Sequence, residues 1–372
     1  MTPGAGGGRR GGPPRSPAVS RRTAALLIAV VLFGLLWRPV LYPAGKAGLL
    51  LLDIYSPALL GTNVAALITP EPVVSETRES FRGRGMRVSW WRPAWGTTHP
   101  ALMIVNGATP AGNDNAATRD FALSLARAGY LVMLPEFPFL KEGRLDPDAP
   151  RLVDAAFAFL RERGETRDRP VGAFGASVGG GVMLAAAGSE PAIGRADFLA
   201  VLGGYYDLDT YVAAVAAHQQ DLPGSGLVPW EPSQEARERI PPAVLLAMTE
   251  PADRARVDEV FRAPSYAAAR EALASLSPSG RSVLDRLSPA SVWGSIAPPV
   301  FWIHDPDDAF EPLAEAFAAQ GAPREGHFEL VVPRLVQHAE VGQAAKGRDL
   351  LFVARELWGL LTFTLDVLRI AG

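Results

Sequence analysis

The stretch PVGAFGASVGGGVMLAAA, residues 170–187, decides the fold of this chain. It starts with an apolar run from Pro170 to Phe174, which predicts a buried strand, and ends with an apolar segment from Val178 to Ala187, which predicts a helix. Between them lies Gly175-Ala-Ser-Val-Gly179. Glycines two positions before and two after Ser177 carry no Cβ atom, so a strand and a helix can approach closely there. The stretch therefore predicts a sharp strand–turn–helix junction with Ser177 at its tip.

Alternating strand and helix signals extend to both sides of this junction, from about Val73 to the C terminus. Two runs with polar residues at alternate positions, Val73–Phe81 and Gly85–Arg92, predict an antiparallel pair of strands. The continuous apolar run at residues 101–105 predicts a central strand buried on both faces of a sheet. Further strands are predicted at residues 130–134, 170–174, 299–303 and 327–332. The pattern predicts an α/β fold, a mostly parallel sheet with helices on both faces.

Strand signals are absent between Gly204 and Ile296, where the segment is predicted to be helical with proline-rich breaks such as Pro241-Pro242. Because this segment falls between two core strands, we expect a helical cap over the carboxyl edge of the sheet. The predicted organisation is a disordered basic tail at 1–22, a transmembrane anchor at 23–42, a juxtamembrane segment at 43–71, a core at 72–203 and 297–372, and the cap at 204–296.

Composition limits the classes of function. With 372 residues, 48% of them hydrophobic, the chain is long enough to bury one large core and to carry an anchor and an insertion as well. It has no cysteine, which excludes disulfides and thiolate nucleophiles. The formal net charge is −3 although five arginines lie among the first 22 residues, so the rest of the chain is more acidic than the total. We therefore expect no nucleic acid among its partners.

The N-terminal region predicts a connection to a membrane. Residues 1–22 are rich in Gly, Pro and Arg, and are expected to be disordered. Thr23–Trp37 carries no charge, and with Arg38 reaching the interface the apolar segment extends to Tyr42, close to the ~20 residues of a spanning helix. An uncleaved single-pass anchor is the favoured interpretation, with the arginines in the cytoplasm and the folded body outside it. The alternative is a cleaved signal peptide and a secreted body.

A second apolar stretch, residues 47–68, bears on the topology. Its Asp53 and Pro57 disfavour a second span, so the favoured structure is a helix that lies on the membrane or on the folded domain. The alternative is a helical hairpin, which would return the body to the cytoplasmic side.

Ser177 is the candidate nucleophile, because a serine on such a turn projects from the carboxyl edge of the sheet over the positive end of a helix. Of the five histidines, His338 is the candidate general base. It follows the last predicted strand, in a loop at the carboxyl edge where a base can reach Ser177. The other histidines have structural or surface explanations: His99, His218, His304 and His327.

Three aspartates follow the penultimate strand, in the stretch His304-Asp-Pro-Asp-Asp-Ala-Phe-Glu-Pro312. Asp308 is the candidate acid that orients His338 and stabilises its imidazolium form. Asp305 and Asp307 are predicted to cap the turn and the following helix. The candidate residues therefore occur in the order Ser, Asp, His.

From Val73 to Gly372 the strand pattern, the G-A-S-V-G turn, the acid and the histidine resemble the α/β-hydrolase superfamily. The arrangement is similar to the dienelactone-hydrolase and prolyl-peptidase-like esterase branch. The acid motif of that branch is H-G-x-x-D-x-x-V-P, and His304, Asp308 and Pro312 match its His, Asp and Pro. Asp305 replaces the glycine, and Glu311 replaces the valine before the proline.

The resemblance also implies an oxyanion hole formed by two backbone N–H groups, those of Val178 and Ala108. This chain has Asn106-Gly107 where many members of the superfamily have His-Gly. In such enzymes one oxyanion donor typically contributes ~10²- to 10³-fold to the rate.

The predicted function is a serine hydrolase that cleaves carboxylic esters or related acyl compounds through an acyl-serine intermediate, with no metal or cofactor. Tyr205, Tyr206 and Phe310 are candidates to line a pocket for a small-molecule acyl substrate, and ordinary core packing is the other explanation for them. Peptidase, thioesterase and acyltransferase activity use the same triad, and a non-catalytic binding module of the same fold is a further alternative. The sequence does not indicate the natural substrate or the oligomeric state.

Overall fold

The computed structural model describes residues 41–336 and 348–372. Its main sheet has eight strands in the order β1-β2-β4-β3-β5-β6-β9-β10. β7 and β8 form a separate two-stranded sheet. The strands of both sheets are β1 Val73–Phe81, β2 Arg84–Arg92, β3 Ala101–Val105, β4 Leu131–Pro135, β5 Val171–Ala176, β6 Leu199–Leu202, β7 Gln219–Leu222, β8 Gly226–Pro229, β9 Val300–Ile303 and β10 Phe328–Val331. β2 runs antiparallel to β1 and β4, and the other neighbours are parallel. This order confirms the predicted α/β-hydrolase fold.

Helices cover both faces of the sheet. They are α1 Tyr42–Leu60, α2 Val64–Ile68, α3 Ala116–Arg127, α4 Pro138–Lys141, α5 Ala149–Arg161, α6 Val178–Ser189, α7 Leu208–Ala217, α8 Gln234–Ala247, α9 Pro251–Val260, α10 Tyr266–Ala274, α11 Pro278–Leu287, α12 Leu313–Gly321 and α13 Leu350–Ala371. Ala101, Met103 and Val105 of β3 belong to a core that includes α5 and α6, whereas Leu102 and Ile104 belong to one that includes α3 and α13. Burial on both faces explains why the central strands are continuous apolar runs.

The segment predicted at 43–71 lies on the folded body. Ala47 and Leu50 of α1 are buried in the same core as α3 and α13. Arg127 Nη1 donates to both carboxylate oxygens of Asp53, at 3.0 and 3.3 Å, and both side chains are buried. Lys46 Nζ donates to the carbonyl of the C-terminal Gly372 at 2.6 Å. These contacts make α1 part of the core.

The predicted basic tail at 1–22 and nearly all of the predicted anchor at 23–42 lie outside the described residues. Within residues 41–336 and 348–372, no helix is long and apolar enough to cross a membrane.

The cap lies between β6 and β9 and differs from its prediction at Pro241-Pro242. Instead of breaking there, α8 runs through both prolines. Each proline removes one N–H from the helical ladder, and the carbonyls that lose a partner belong to residues 237 and 238, which are exposed. The same helix buries Ala236, Ala243 and Val244. Packing of these residues favours the continuous helix over the local preference of proline.

The cap also contains a β-hairpin that the sequence pattern did not predict. β7 pairs antiparallel with β8, and Gly224 in the turn and Gly226 at the start of β8 have positive φ. Both strands have only four residues, and β8 is almost wholly exposed, so neither shows the apolar run of a core strand.

Candidate active site

Ser177 occupies the predicted sharp turn between β5 and α6. Its backbone has φ 51° and ψ −137°, a region that residues with a Cβ atom rarely adopt. The Ser177 N–H donates to the carbonyl of Leu202 at 2.9 Å, and the Ser177 carbonyl accepts from the Gly180 N–H at 2.8 Å. The side chain is only half-buried. The turn therefore holds the hydroxyl at the carboxyl edge of the sheet, where a ligand can reach it.

The flanking glycines are required by close packing. A Cβ atom on Gly175 would lie 2.5 Å from the Cα of Gly180. A Cβ atom on Gly179 would overlap the backbone carbonyls of Val105 and Asn106 at the end of β3. The two glycines thus allow α6 to start directly against β3 and β5, as the sequence pattern predicted.

The loop after β3 lies beside the nucleophile. A Cβ atom on Gly107 would lie 3.2 Å from Ser177 Cβ and 3.7 Å from Ser177 Oγ. The side chain of Asn106 holds this loop, because its Oδ1 accepts from the Gly107 N–H and from Thr118 Oγ1, each at 2.9 Å. Asn106 therefore fixes the loop that carries Ala108.

Both predicted oxyanion donors are at this edge of the sheet. Val178 is the first residue of α6, where N–H groups have no acceptor within the helix. Ala108 follows Gly107, and its carbonyl accepts from Arg239 Nη1 of cap helix α8 at 3.0 Å. The arginine connects the cap to the loop beside Ser177.

Asp308 lies in the loop between β9 and α12. It is buried, and its Oδ1 accepts from the backbone N–H groups of Phe310 at 2.7 Å and Glu311 at 3.2 Å. Trp230 of the cap donates its indole N–H to the Asp308 carbonyl at 2.8 Å. Asp305 Oδ1 accepts from the Asp307 N–H at 2.9 Å. Asp305 thus caps the turn, and Asp308 is held by hydrogen bonds from its own loop and from the cap.

Glu311 is a site residue that sequence reasoning missed. Its carboxylate is fully buried, and Oε1 accepts a hydrogen bond of 2.6 Å from Ser177 Oγ. The signal in the sequence was a charged residue at the motif position of the valine, but its partner is 134 residues away along the chain. His304 is fully buried with Nε2 3.0 Å from the Glu311 carbonyl, which agrees with a structural role for this histidine.

His338, the predicted base, lies outside the described residues. The structure therefore brings together Ser177, Gly107, Glu311 and the loop of Asp308, and the base stays a prediction. Asp308 is connected to Ser177 through Glu311, which bonds to Asp308 by its N–H and to Ser177 by its carboxylate.

Tyr205 is a core residue that also lines a small cavity. Its hydroxyl donates to the Leu287 carbonyl at 2.9 Å, its ring stacks on Tyr211 with 5.8 Å between centroids, and burial raises the pKa of Tyr205. The cavity is entirely apolar at its surface and has a volume of about 10 Å³, room for about one water molecule. Its walls are Leu145, Val178, Tyr205, Leu208, Tyr211, Val212, Ile240, Ala243 and Val244.

The other two aromatic candidates are outside that cavity wall. The ring of half-buried Tyr206 packs edge-on against Trp293, with 5.3 Å between centroids. Phe310 is half-buried in the Asp308 loop. Among the described residues, no group of three or more His, Asp and Glu side chains is arranged to hold a metal ion.

The sequence matches no protein-family model and no curated protein. Among solved structures, the chain is similar to 2,6-dihydroxy-pseudo-oxynicotine hydrolase, with a TM-score of 0.48 and 19% identity over 80% of this chain and 68% of that chain. It is also similar to Pyrococcus horikoshii acylaminoacyl peptidase, with a TM-score of 0.47 and 14% identity over 79% of this chain and 42% of the peptidase. For dienelactone hydrolase from Anabaena variabilis the TM-score is 0.42 and the identity 14%, over 80% and 97% of the chains. All three TM-scores are below 0.5.

Proposed function

We propose that this protein is a serine hydrolase that cleaves carboxylic esters or related acyl compounds through an acyl-serine intermediate on Ser177. The observation that carries the proposal is the backbone of Ser177, held at φ 51° between β5 and α6 with its side chain half-exposed. Such strain at a non-glycine residue is typical of functional sites, and a strand–serine–helix turn of this kind presents a nucleophile in α/β-hydrolases.

The proposed first half of the reaction follows from this geometry. Ser177 Oγ attacks the acyl carbon, loses its proton to a base, and forms a tetrahedral intermediate whose oxyanion the N–H groups of Val178 and Ala108 stabilise. Collapse of the intermediate breaks the bond to the leaving alcohol, which takes up a proton, and the acyl-serine remains. Water then releases the acid. Asp308 and His338 are the proposed acid–base pair.

The apolar cavity supports a preference for short acyl chains. Its walls include Val178, the residue after the nucleophile, and the stacked rings of Tyr205 and Tyr211. Cap helix α8 supplies Ile240 and further walls, so a long chain needs displacement of the cap. We expect turnover of p-nitrophenyl esters to fall from acetate to octanoate.

Reaction with a fluorophosphonate tests the nucleophile. Wild type is expected to be labelled covalently, and Ser177→Ala is expected to lose both labelling and ester turnover. Ser189→Ala is the matched control, because Ser189 ends the same helix and its hydroxyl donates to the Ala185 carbonyl at 2.7 Å. A folded wild-type protein that resists labelling would exclude the serine mechanism and favour a binding module.

Product analysis separates hydrolysis from the related activities. With an ester substrate and a competing alcohol, a hydrolase releases mainly the free acid, whereas an acyltransferase forms the new ester. Peptide and thioester substrates of the same acyl group test the peptidase and thioesterase alternatives.

We also propose that residues 23–42 form a membrane anchor with the N terminus in the cytoplasm. It is supported by the uncharged apolar run from Thr23 to Trp37. The full chain is expected in the membrane fraction after a carbonate wash, and a chain starting at Pro43 in the supernatant. Recovery of the full chain in the supernatant would exclude the anchor.

A further inference from the structure

Glu311 is positioned by contacts on both sides of its backbone. Its N–H donates to Asp308 Oδ1 at 3.2 Å, and its carbonyl lies 3.0 Å from His304 Nε2. Pro312 follows directly and fixes its own backbone φ. The fully buried side chain then reaches Ser177 Oγ at 2.6 Å. These contacts fix the buried carboxylate in a position next to the proposed nucleophile.

The length of this bond indicates its chemistry. O–H···O⁻ bonds to a carboxylate are typically about 2.5–2.7 Å long, shorter than bonds between neutral groups. A general base has to lie about 2.6–3.2 Å from the atom whose proton it removes, and Glu311 Oε1 meets this condition for Ser177 Oγ. Since a serine hydroxyl has a single hydrogen, the bond to Glu311 commits that hydrogen to the carboxylate.

We propose that Glu311 is a catalytic residue that takes the proton of Ser177 during formation of the acyl-serine. The inference rests on the proposed function and deepens it. As the bond from Oγ to the acyl carbon forms, the proton moves to Glu311 Oε1, and the carbonyl electron pair becomes the oxyanion. When the bond to the leaving alcohol breaks, the protonated carboxyl group gives this proton to the departing oxygen. The carboxylate is then restored, and formation of the acyl-serine does not need the base predicted at His338.

The charge of the site also favours a carboxylate that accepts the proton over one that stays ionised. A carboxylate that stayed ionised beside Ser177 would repel the oxyanion as it develops. A carboxylate that accepts the proton becomes neutral at the same moment, so the negative charge moves from Glu311 to the oxyanion and the site gains none.

The test compares Glu311→Gln with Glu315→Gln in the full chain. Glutamine keeps the shape of glutamate and an acceptor oxygen for Ser177, but it is not a base. Glu315 is a second buried glutamate, four residues further along the chain, whose carboxylate bonds to Thr210 and to backbone N–H groups rather than to Ser177. We expect the rate constant of fluorophosphonate labelling to fall by about 10²- to 10⁴-fold in Glu311→Gln and less than threefold in Glu315→Gln. A fall smaller than tenfold in a folded Glu311→Gln protein would overturn the inference.

Two further measurements separate this inference from the proposed function. If wild type itself is not labelled at Ser177, the serine hydrolase proposal fails. If wild type is labelled and Glu311→Gln reacts as fast, only the role of Glu311 fails. Near-UV circular dichroism checks folding, and Glu311→Asp replaces the glutamine variant if that one does not fold. Aspartate is one methylene shorter and withdraws the carboxylate from Ser177, so labelling at the wild-type rate by Glu311→Asp would likewise overturn the inference.

Discussion

Replacement of Glu315 by glutamine is expected to change how stability depends on pH. Glu315 lies in α12 and is buried, with Oε2 accepting from the N–H groups of Tyr206 at 2.9 Å and Asp207 at 2.8 Å, and Oε1 accepting from Thr210 Oγ1 at 2.6 Å. Burial raises the pKa of Glu315 from 4.5 to about 7, although these hydrogen bonds partly oppose the rise. The carboxyl group therefore titrates near neutrality in the folded protein.

The sign and size of the effect follow from the two pKa values. Because the folded pKa is raised, the folded state binds the proton more tightly than the unfolded state between pH 4.5 and 7. The stabilisation is complete below the unfolded pKa and is lost as the pH rises through the folded pKa. A shift from 4.5 to about 7 corresponds to about 3 kcal/mol in the free energy of unfolding.

Urea denaturation of wild type and Glu315→Gln at pH 4.5, 6 and 8 measures this difference. Glutamine does not titrate, so the free energy of unfolding of the variant should gain about 3 kcal/mol relative to wild type between pH 4.5 and 8. Glu271→Gln, at an exposed position of α10, is the control and should show no such gain. A difference between wild type and Glu315→Gln that stays constant with pH would refute the reasoning.

Three further predictions concern the core and the site. Asp53→Ala should lower the free energy of unfolding by about 3–5 kcal/mol in urea titrations, because it leaves Arg127 buried without its partner; an unchanged midpoint would show that α1 does not belong to the core. Gly179→Ala should abolish fluorophosphonate labelling and cost about 1–3 kcal/mol, since the added Cβ overlaps backbone carbonyls; normal labelling would contradict the close packing. Asp308→Asn should lower kcat on the order of 10⁴-fold, and the exposed Asp307→Asn should be nearly silent; the reverse result would move the acid to Asp307.

The sheet could be predicted from the sequence because its central strands are buried on both faces. Ala101–Val105 is apolar at every position, and all five residues are buried. The turn at Ser177 was predictable for a similar reason, because close packing of α6 against β3 leaves no room for a Cβ atom at residue 179. In both places the packing restricts the residue types at a few consecutive positions, so the sequence shows its effect directly.

The cap was less predictable because its local signals are weak or conflicting. Pro241 and Pro242 indicate a break, but burial of Ala243 and Val244 keeps α8 continuous. The hairpin of β7 and β8 has four-residue strands without a buried apolar run. Tertiary packing decides such segments, and it is not visible in a window of ten residues.

Glu311 and Glu315 show how one short segment can connect the parts of the site. They lie four residues apart and both carboxylates are buried, yet they face different partners. Glu311 accepts a hydrogen bond from the Ser177 hydroxyl. Glu315 accepts hydrogen bonds from the N–H groups of Tyr206 and Asp207, where the chain enters the cap. A shift of this segment would therefore alter the hydrogen bonds at the nucleophile and at the start of the cap together. Burying a carboxylate without hydrogen-bond partners raises the free energy of the folded protein. We therefore expect each of the two glutamates to have a role in the part of the site that it contacts.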